Sequence, residues 1–122
     1  MKYTIENLSG YMKADMVERD TAAETEEFVR AIVAAVRKDR ITKVLISIRK
    51  SRPVFKVEDW KLSEALEQVM SVPGLRVAFV SDTRELQMSQ EYIALLGRQR
   101  GLDFQSFQSE PAAVEWLLQG AQ

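Results

Sequence analysis

Cysteine and histidine are both absent from this chain of 122 residues. Without cysteine there is no disulfide, no thiol nucleophile and no thiolate metal site. Without histidine a Ser-His-Asp triad is impossible, and so is any imidazole acid–base step. Catalysis would have to use carboxylates, lysine, tyrosine or a carboxylate-bound cation, and no spacing arranges these in a recognisable way. A charge excess of one sign is also missing. Lys and Arg number 17 against 18 Asp and Glu, a formal net charge of −1. That balance excludes a global electrostatic drive toward nucleic acid, which depends on many phosphate-neutralising cations. No apolar run approaches the roughly 18 residues that span a bilayer. The opening MKYTIENLSG carries no signal-peptide apolar core. A cytoplasmic location is the resulting expectation.

What is present is an ordinary globular pattern. Hydrophobic residues make up 46% of the sequence, enough for one domain with its own core. Lys2 to Leu8 alternates Tyr3 and Ile5 against Lys2, Thr4 and Glu6, and Tyr11 to Val17 alternates Met12, Ala14 and Met16. With Ser9-Gly10 between them, these two runs predict a hairpin. Thr21 and Glu24 have capping-box spacing, and Phe28, Ile32, Ala35 and Val36 follow as one apolar stripe of a helix. Lys43 to Ile48 is almost wholly apolar and β-branched, as expected of a central parallel strand buried on both faces.

Arg49 to Lys56 reads as a loop containing Pro53. Glu58 or Asp59 should open a helix lined by Leu62, Ala65, Leu66 and Val69, which ends at Ser71 to Gly74. Val77 to Val80 is the next strand. Asp82 and Glu85 stand at N-cap and N3 spacing of a helix whose Leu86, Ile93 and Leu96 face the core and whose C-cap is Gly101. Phe104 to Phe107 is a short edge strand. Ser109 caps a last helix with Pro111 in its first turn, packed down by Ala113, Trp116 and Leu117 beside Phe104. The order ββαβαβαβα defines an α/β domain over 1–122. Its sheet is mostly parallel, of four or five strands with one antiparallel edge strand and flanking helices.

Several strings in this order resemble the STAS superfamily, the sulfate-transporter and anti-sigma-factor-antagonist domains, and in particular its bacterial SpoIIAA-like branch. That branch is related in fold to lipid-carrying CRAL-TRIO domains. RVAFVSD followed by a helix looks like the branch's penultimate strand and loop, and RGLDFQSFQSEPAAVEWL looks like its ending. The resemblance covers essentially the whole chain. It implies a single STAS-like domain that acts by binding and is not an enzyme. In anti-sigma-factor antagonists a phosphorylated serine, usually preceded by Asp and near Gly, follows the central strand. The matching loop here is Arg49-Lys50-Ser51-Arg52-Pro53, so Ser51 is preceded by Lys50 and no glycine follows. The departure argues against a phosphorylation switch at Ser51.

In open α/β sheets ligands bind beyond the carboxyl ends of the parallel strands. Glu18 to Thr21, Arg49 to Lys56 and Ser81 to Arg84 should meet there. The candidate binding residues are Arg49, Lys50, Ser51, Arg52, Lys56, Trp60, Ser81, Asp82, Thr83 and Arg84. The four cations within Arg49 to Lys56 and the helix N-termini suit a small amphipathic anion or an acidic patch on a protein partner. A solvated loop explains the same charges, and helix capping explains Ser81 to Thr83. Trp60 is expected either to cover the site or to pack on the sheet. Met12, Met16, Met70 and Met88 are expected to fill the core or to line an adaptable pocket. A rival reading is a small enzyme using Asp82 with the Arg49–Lys56 cations, and a third is a phosphorelay-like switch at Ser51. No cofactor, metal site, nucleic acid or transmembrane segment is expected, and a homodimer is left open.

Overall fold

The computed structural model describes residues 2–18, 22–51, 72 and 74–119. Within them the chain forms β1 (Lys2–Leu8), β2 (Tyr11–Val17), α1 (Ala22–Asp39), β3 (Lys43–Arg49), β4 (Arg76–Ser81), α2 (Arg84–Gln99), β5 (Asp103–Ser106) and α3 (Glu110–Gln119). The helix expected from Glu58 or Asp59 lies outside the described residues, as do Thr21, Arg52, Lys56, Trp60 and Met70. Among the described residues no helix is long and apolar enough to cross a membrane.

The five strands lie side by side in chain order, β1-β2-β3-β4-β5. β1 pairs antiparallel with β2, and every other pairing is parallel. This is the mixed α/β sheet expected from the alternation of strands and helices. The strand ends differ from the expected ones by a residue. β4 runs from Arg76 to Ser81, and β5 runs from Asp103 to Ser106 instead of Phe104 to Phe107.

Each helix is placed by the apolar surface it must cover. Met12, Ala14 and Met16 of β2 are fully buried, on one sheet face with Val44, Val77, Phe79 and Phe104. Phe28, Ile32 and Val36 of α1, and Leu86 and Ala94 of α2, complete that cluster. Helices following parallel strands on one side are what right-handed crossovers produce. The opposite face is narrower. There Leu45, Ala78 and Val80 pack against Ala113 and Leu117 of α3. Met12 and Met16 therefore fill the core, whereas Met88 is 56% exposed.

Trp116 does not sit beside Phe104. Its ring lies 5.5 Å from that of Phe107 and 4.5 Å beneath the Arg76 guanidinium, in the α3 layer, while Phe104 meets Phe79 in the other layer. The period-two alternation explains the difference, because Phe104 and Phe107 are separated by an odd number of residues and point to opposite faces.

α2 is tied at both ends. Its N-cap is Thr83, whose Oγ1 accepts from the Leu86 N–H, and not Asp82 as the spacing suggested. At its C-terminus the Leu102 N–H donates to the Gly97 carbonyl at 2.9 Å and the Gly101 N–H to the Arg98 carbonyl at 3.0 Å. This 6→1 and 5→2 pair requires a left-handed residue, which Gly101 supplies at φ 85°. The Ser109 cap of α3 forms as expected, with Oγ accepting from Ala112 N–H.

Candidate functional site

The carboxyl ends of β2, β3 and β4 are tied to one another by backbone and side-chain hydrogen bonds. Glu18 leaves β2 at φ 60° and Lys50 leaves β3 at φ 50°. Both are left-handed conformations that cost a non-glycine residue on the order of 1 kcal/mol or more. The turn directs the Glu18 N–H onto the carbonyls of Arg49 (3.3 Å) and Lys50 (3.1 Å). The Lys50 N–H in turn donates to the two Asp82 carboxylate oxygens, at 3.1 and 3.4 Å. Of the three segments that the sequence placed at one edge, the described residues Glu18, Arg49 to Ser51 and Ser81 to Arg84 meet there, and Asp82 fastens two of the segments. That role, and not helix capping, accounts for the acid at this position.

The side chains at the edge are largely committed within the chain. Arg49 Nε donates to Asp15 Oδ1 at 3.2 Å and its Nη2 to Oδ2 at 2.7 Å, a two-pronged ion pair between neighbouring strands. Burial alone would push the Asp15 carboxyl up. The hydrogen bonds from Arg49 and Ser47 and the charges of Arg49 and Lys13 outweigh it and hold Asp15 below the usual carboxylate range. The same bond pushes the Arg49 guanidinium further up, so it remains a fixed cation. Beside this pair, Lys13 Nζ reaches Glu110 at 3.0 Å, linking β2 to the start of α3. Ser51 Oγ donates to the Arg49 carbonyl at 2.9 Å, and Ser81 Oγ to the Thr83 carbonyl at 3.3 Å. Lys50, Asp82, Thr83 and Arg84 are exposed along this rim. Of the other expected site residues, Arg52, Lys56 and Trp60 fall outside the described residues.

Chemically, the rim is a braced polar surface. Asp15 is charged and paired, and the Asp82 carboxylate accepts a backbone N–H. A cleft of about 320 Å³ opens at the opposite edge of the sheet, where β4 and β5 begin, lined by Val72, Leu75, Arg100, Leu102 and Asp103 among others. It is separated from the rim by the length of the strands.

Two features lay outside the sequence reading. Met88, Tyr92 and Leu95 recur at i, i+4 and i+7 on the outer face of α2 and are 56%, 42% and 45% exposed. The spacing was visible, but Leu86, Ile93 and Leu96 already supplied a core stripe, so the helix carries apolar residues on two faces. Gln90 is fully buried on the core side. Its Nε2 donates to the Val80 carbonyl at 2.8 Å, while Oε1 has no partner among the described residues. A glutamine in an apolar stripe gives no sign in sequence of which carbonyl it will reach. No family model matches the chain, and no curated protein matches it.

Proposed function

We propose that the chain is a non-catalytic binding domain of the STAS/SpoIIAA-like kind whose partner is another protein. The partner would meet the outer face of α2 and the rim at that helix's start. The observation that carries this reading is the ridge of Met88, Tyr92 and Leu95. Single exposed apolar side chains are ordinary, but three stacked on one helix face form a contiguous patch of the kind that interaction sites use. A rigid helix presents them at low entropic cost. Arg84, four residues before Met88 in the first turn of the same helix, and Lys50 on the rim are exposed cations, and Glu91 is an exposed acid on the ridge itself, a mixed polar border suited to charged groups on the partner. The commitment of Asp15, Arg49 and Asp82 to internal bonds supports binding over carboxylate chemistry. The resemblance to STAS domains points the same way.

The test is a photo-crosslinking residue placed at Tyr92 in the cell of origin, followed by binding of the captured protein to purified variants. Met88→Asp and Leu95→Asp should each abolish binding while leaving thermal unfolding unchanged, and Lys50→Ala with Arg84→Ala should slow association. A captured protein that binds the two Asp variants as tightly as the parent chain would show the ridge to be bystander surface. A small molecule retained by purified protein, with no protein captured at Tyr92, would replace this reading with ligand binding.

A further inference from the structure

Among the described residues the sheet ends on one side at β1, six of whose seven residues are exposed, with Ile5 half-buried. Which backbone groups point outward follows from the far side of the hairpin. The Glu18 N–H turns toward β3, where it meets the Arg49 and Lys50 carbonyls. Backbone direction alternates along a strand, so Met12, Ala14 and Met16 also turn toward β3, and Tyr11, Lys13, Asp15 and Val17 turn toward β1. Their register partners Leu8, Glu6, Thr4 and Lys2 therefore spend their N–H and C=O groups on β2. Tyr3, Ile5 and Asn7 direct theirs away from the sheet. Among the described residues β1 pairs with β2 alone.

We propose that this edge joins a second copy of the chain, β1 against β1 and antiparallel, into one continuous sheet. The proposal rests on how Lys2 to Glu6 pairs with itself. With Thr4 on the two-fold axis, Lys2 lies opposite Glu6 of the second copy, Tyr3 opposite Ile5, and Thr4 opposite Thr4. The same pairs then repeat in reverse. Every pair belongs to a favourable class: opposite charges, aromatic with β-branched, hydroxyl with hydroxyl. The outward backbone groups agree, since Tyr3 and Ile5 form the hydrogen-bonded pairs and Thr4 the close non-bonded one. The neighbouring register with the same parity, centred on Ile5, places Lys2 against Leu8 and Thr4 against Glu6, and loses both ion pairs. The faces agree as well. Tyr3 and Ile5 lie on the α1 side, where Tyr3 meets Phe28 edge-on at 5.6 Å, and Lys2, Thr4 and Glu6 lie on the other. Charged residues on an edge strand commonly serve to repel other strands. Here their reciprocal placement makes them complementary to a copy of the same strand, as an isologous contact requires.

The test uses the full chain with no extension at its N-terminus. Sedimentation velocity across a concentration series should show a monomer–dimer equilibrium. Lys2→Glu and Glu6→Lys should each weaken dimerisation by about tenfold or more, because two attractive pairs become repulsive, and the double exchange should restore it. At concentrations where the parent is monomeric the three variants should melt with it, since both side chains are exposed. The chain has no cysteine of its own, so Thr4→Cys is a clean reporter. Mild oxidation should link its dimer rapidly, and Glu6→Cys, which faces Lys2 and not itself, should link slowly. A chain that stays monomeric to its solubility limit would overturn the proposal. So would a dimer indifferent to Lys2→Glu, or one in which Glu6→Cys links as fast as Thr4→Cys.

Discussion

Gly97→Ala should destabilise the protein although it replaces glycine by the best helix former. Gly97 lies inside α2, where the exchange would ordinarily gain about 1 kcal/mol. Its missing side chain is what allows the helix to settle onto β5. A Cβ at this position would stand 2.9 Å from Phe104 Cγ and Cε2 and nearer still to Cδ2. Carbon atoms in ordinary contact are about 3.5–4.0 Å apart, so the ring or the helix would have to move by on the order of 1 Å. The ring has little freedom to do so. It is 3% exposed and stands edge-on to Phe79 at 5.4 Å. Its own backbone carbonyl is held by Arg98 at 2.9 Å. Overpacking of this kind costs about 1–3 kcal/mol, which leaves a net loss of about 1 kcal/mol and up to about 2 after the propensity gain. Urea unfolding followed by circular dichroism would measure it, with an unchanged slope showing that the denatured state is the same. Combining the change with Phe104→Leu should recover part of the loss, a coupling of about 0.5 kcal/mol or more between the two sites. A variant stabilised by about 1 kcal/mol would refute the close approach of α2 to β5.

Other consequences can be checked in the same apparatus. Phe28→Ala removes a ring 2% exposed between α1 and the sheet, and should cost about 3–5 kcal/mol in urea melts. Asp15→Asn should lower stability at neutral pH and lose its effect in acid. The carboxyl is lowered in the folded state, so its contribution is complete above the ordinary carboxyl value and disappears as pH falls through the lowered one. Melts of parent and variant between neutral pH and pH 2 should therefore converge at the acid end. Ser51 should not be a working phosphoacceptor, since its hydroxyl is turned back onto the Arg49 carbonyl and its neighbour is Lys50. Substantial modification in phosphoproteomic spectra of the native protein would contradict this.

Elements with strong periodicity were legible from sequence. The two alternating runs, the β-branched KVLISI segment and the stripe from Phe28 to Val36 each became the expected strand or helix, because burial of one face or both leaves the pattern in the residues themselves. The meeting of three loops at the carboxyl edge was legible too, since it follows from parallel strands alone. The partners chosen inside that edge were not. Asp82 and Thr83 are adjacent, and both residue types cap helices; the choice of Thr83 depends on Lys50 adopting φ 50° and presenting its N–H to Asp82. Nothing local encodes a contact across 32 residues. Likewise, Arg49 looked like part of a cationic loop, but alternation past Ile48 turns it onto the face where Asp15 waits on the neighbouring strand. Gly97 carried no signal in the sequence, because the ring it must clear belongs to β5 and reaches it only in the fold.

The α2 ridge and the β1 edge lie at opposite sides of the sheet. An antiparallel β1–β1 contact has its two-fold axis normal to the sheet. The parallel strands of the second copy therefore run opposite to those of the first, and the two carboxyl rims face in opposite directions. α2 lies over β4 and β5, three strands or more from β1. At about 4.8 Å per strand, the two α2 ridges of a dimer are about 30 Å or more apart. Sites at such separation that share no partners act additively. Lys2→Glu should thus dissociate the dimer and leave the affinity of one chain for a protein captured at Tyr92 unchanged, while Leu95→Asp should remove that protein and leave self-association intact. Titration calorimetry of the captured protein into parent, Lys2→Glu and Leu95→Asp chains would show it. Parent and Lys2→Glu should bind one partner per chain with equal constants. A Lys2→Glu chain with weakened partner binding would mean that the partner bridges both copies, and that the ridge and the β1 edge belong to a single site.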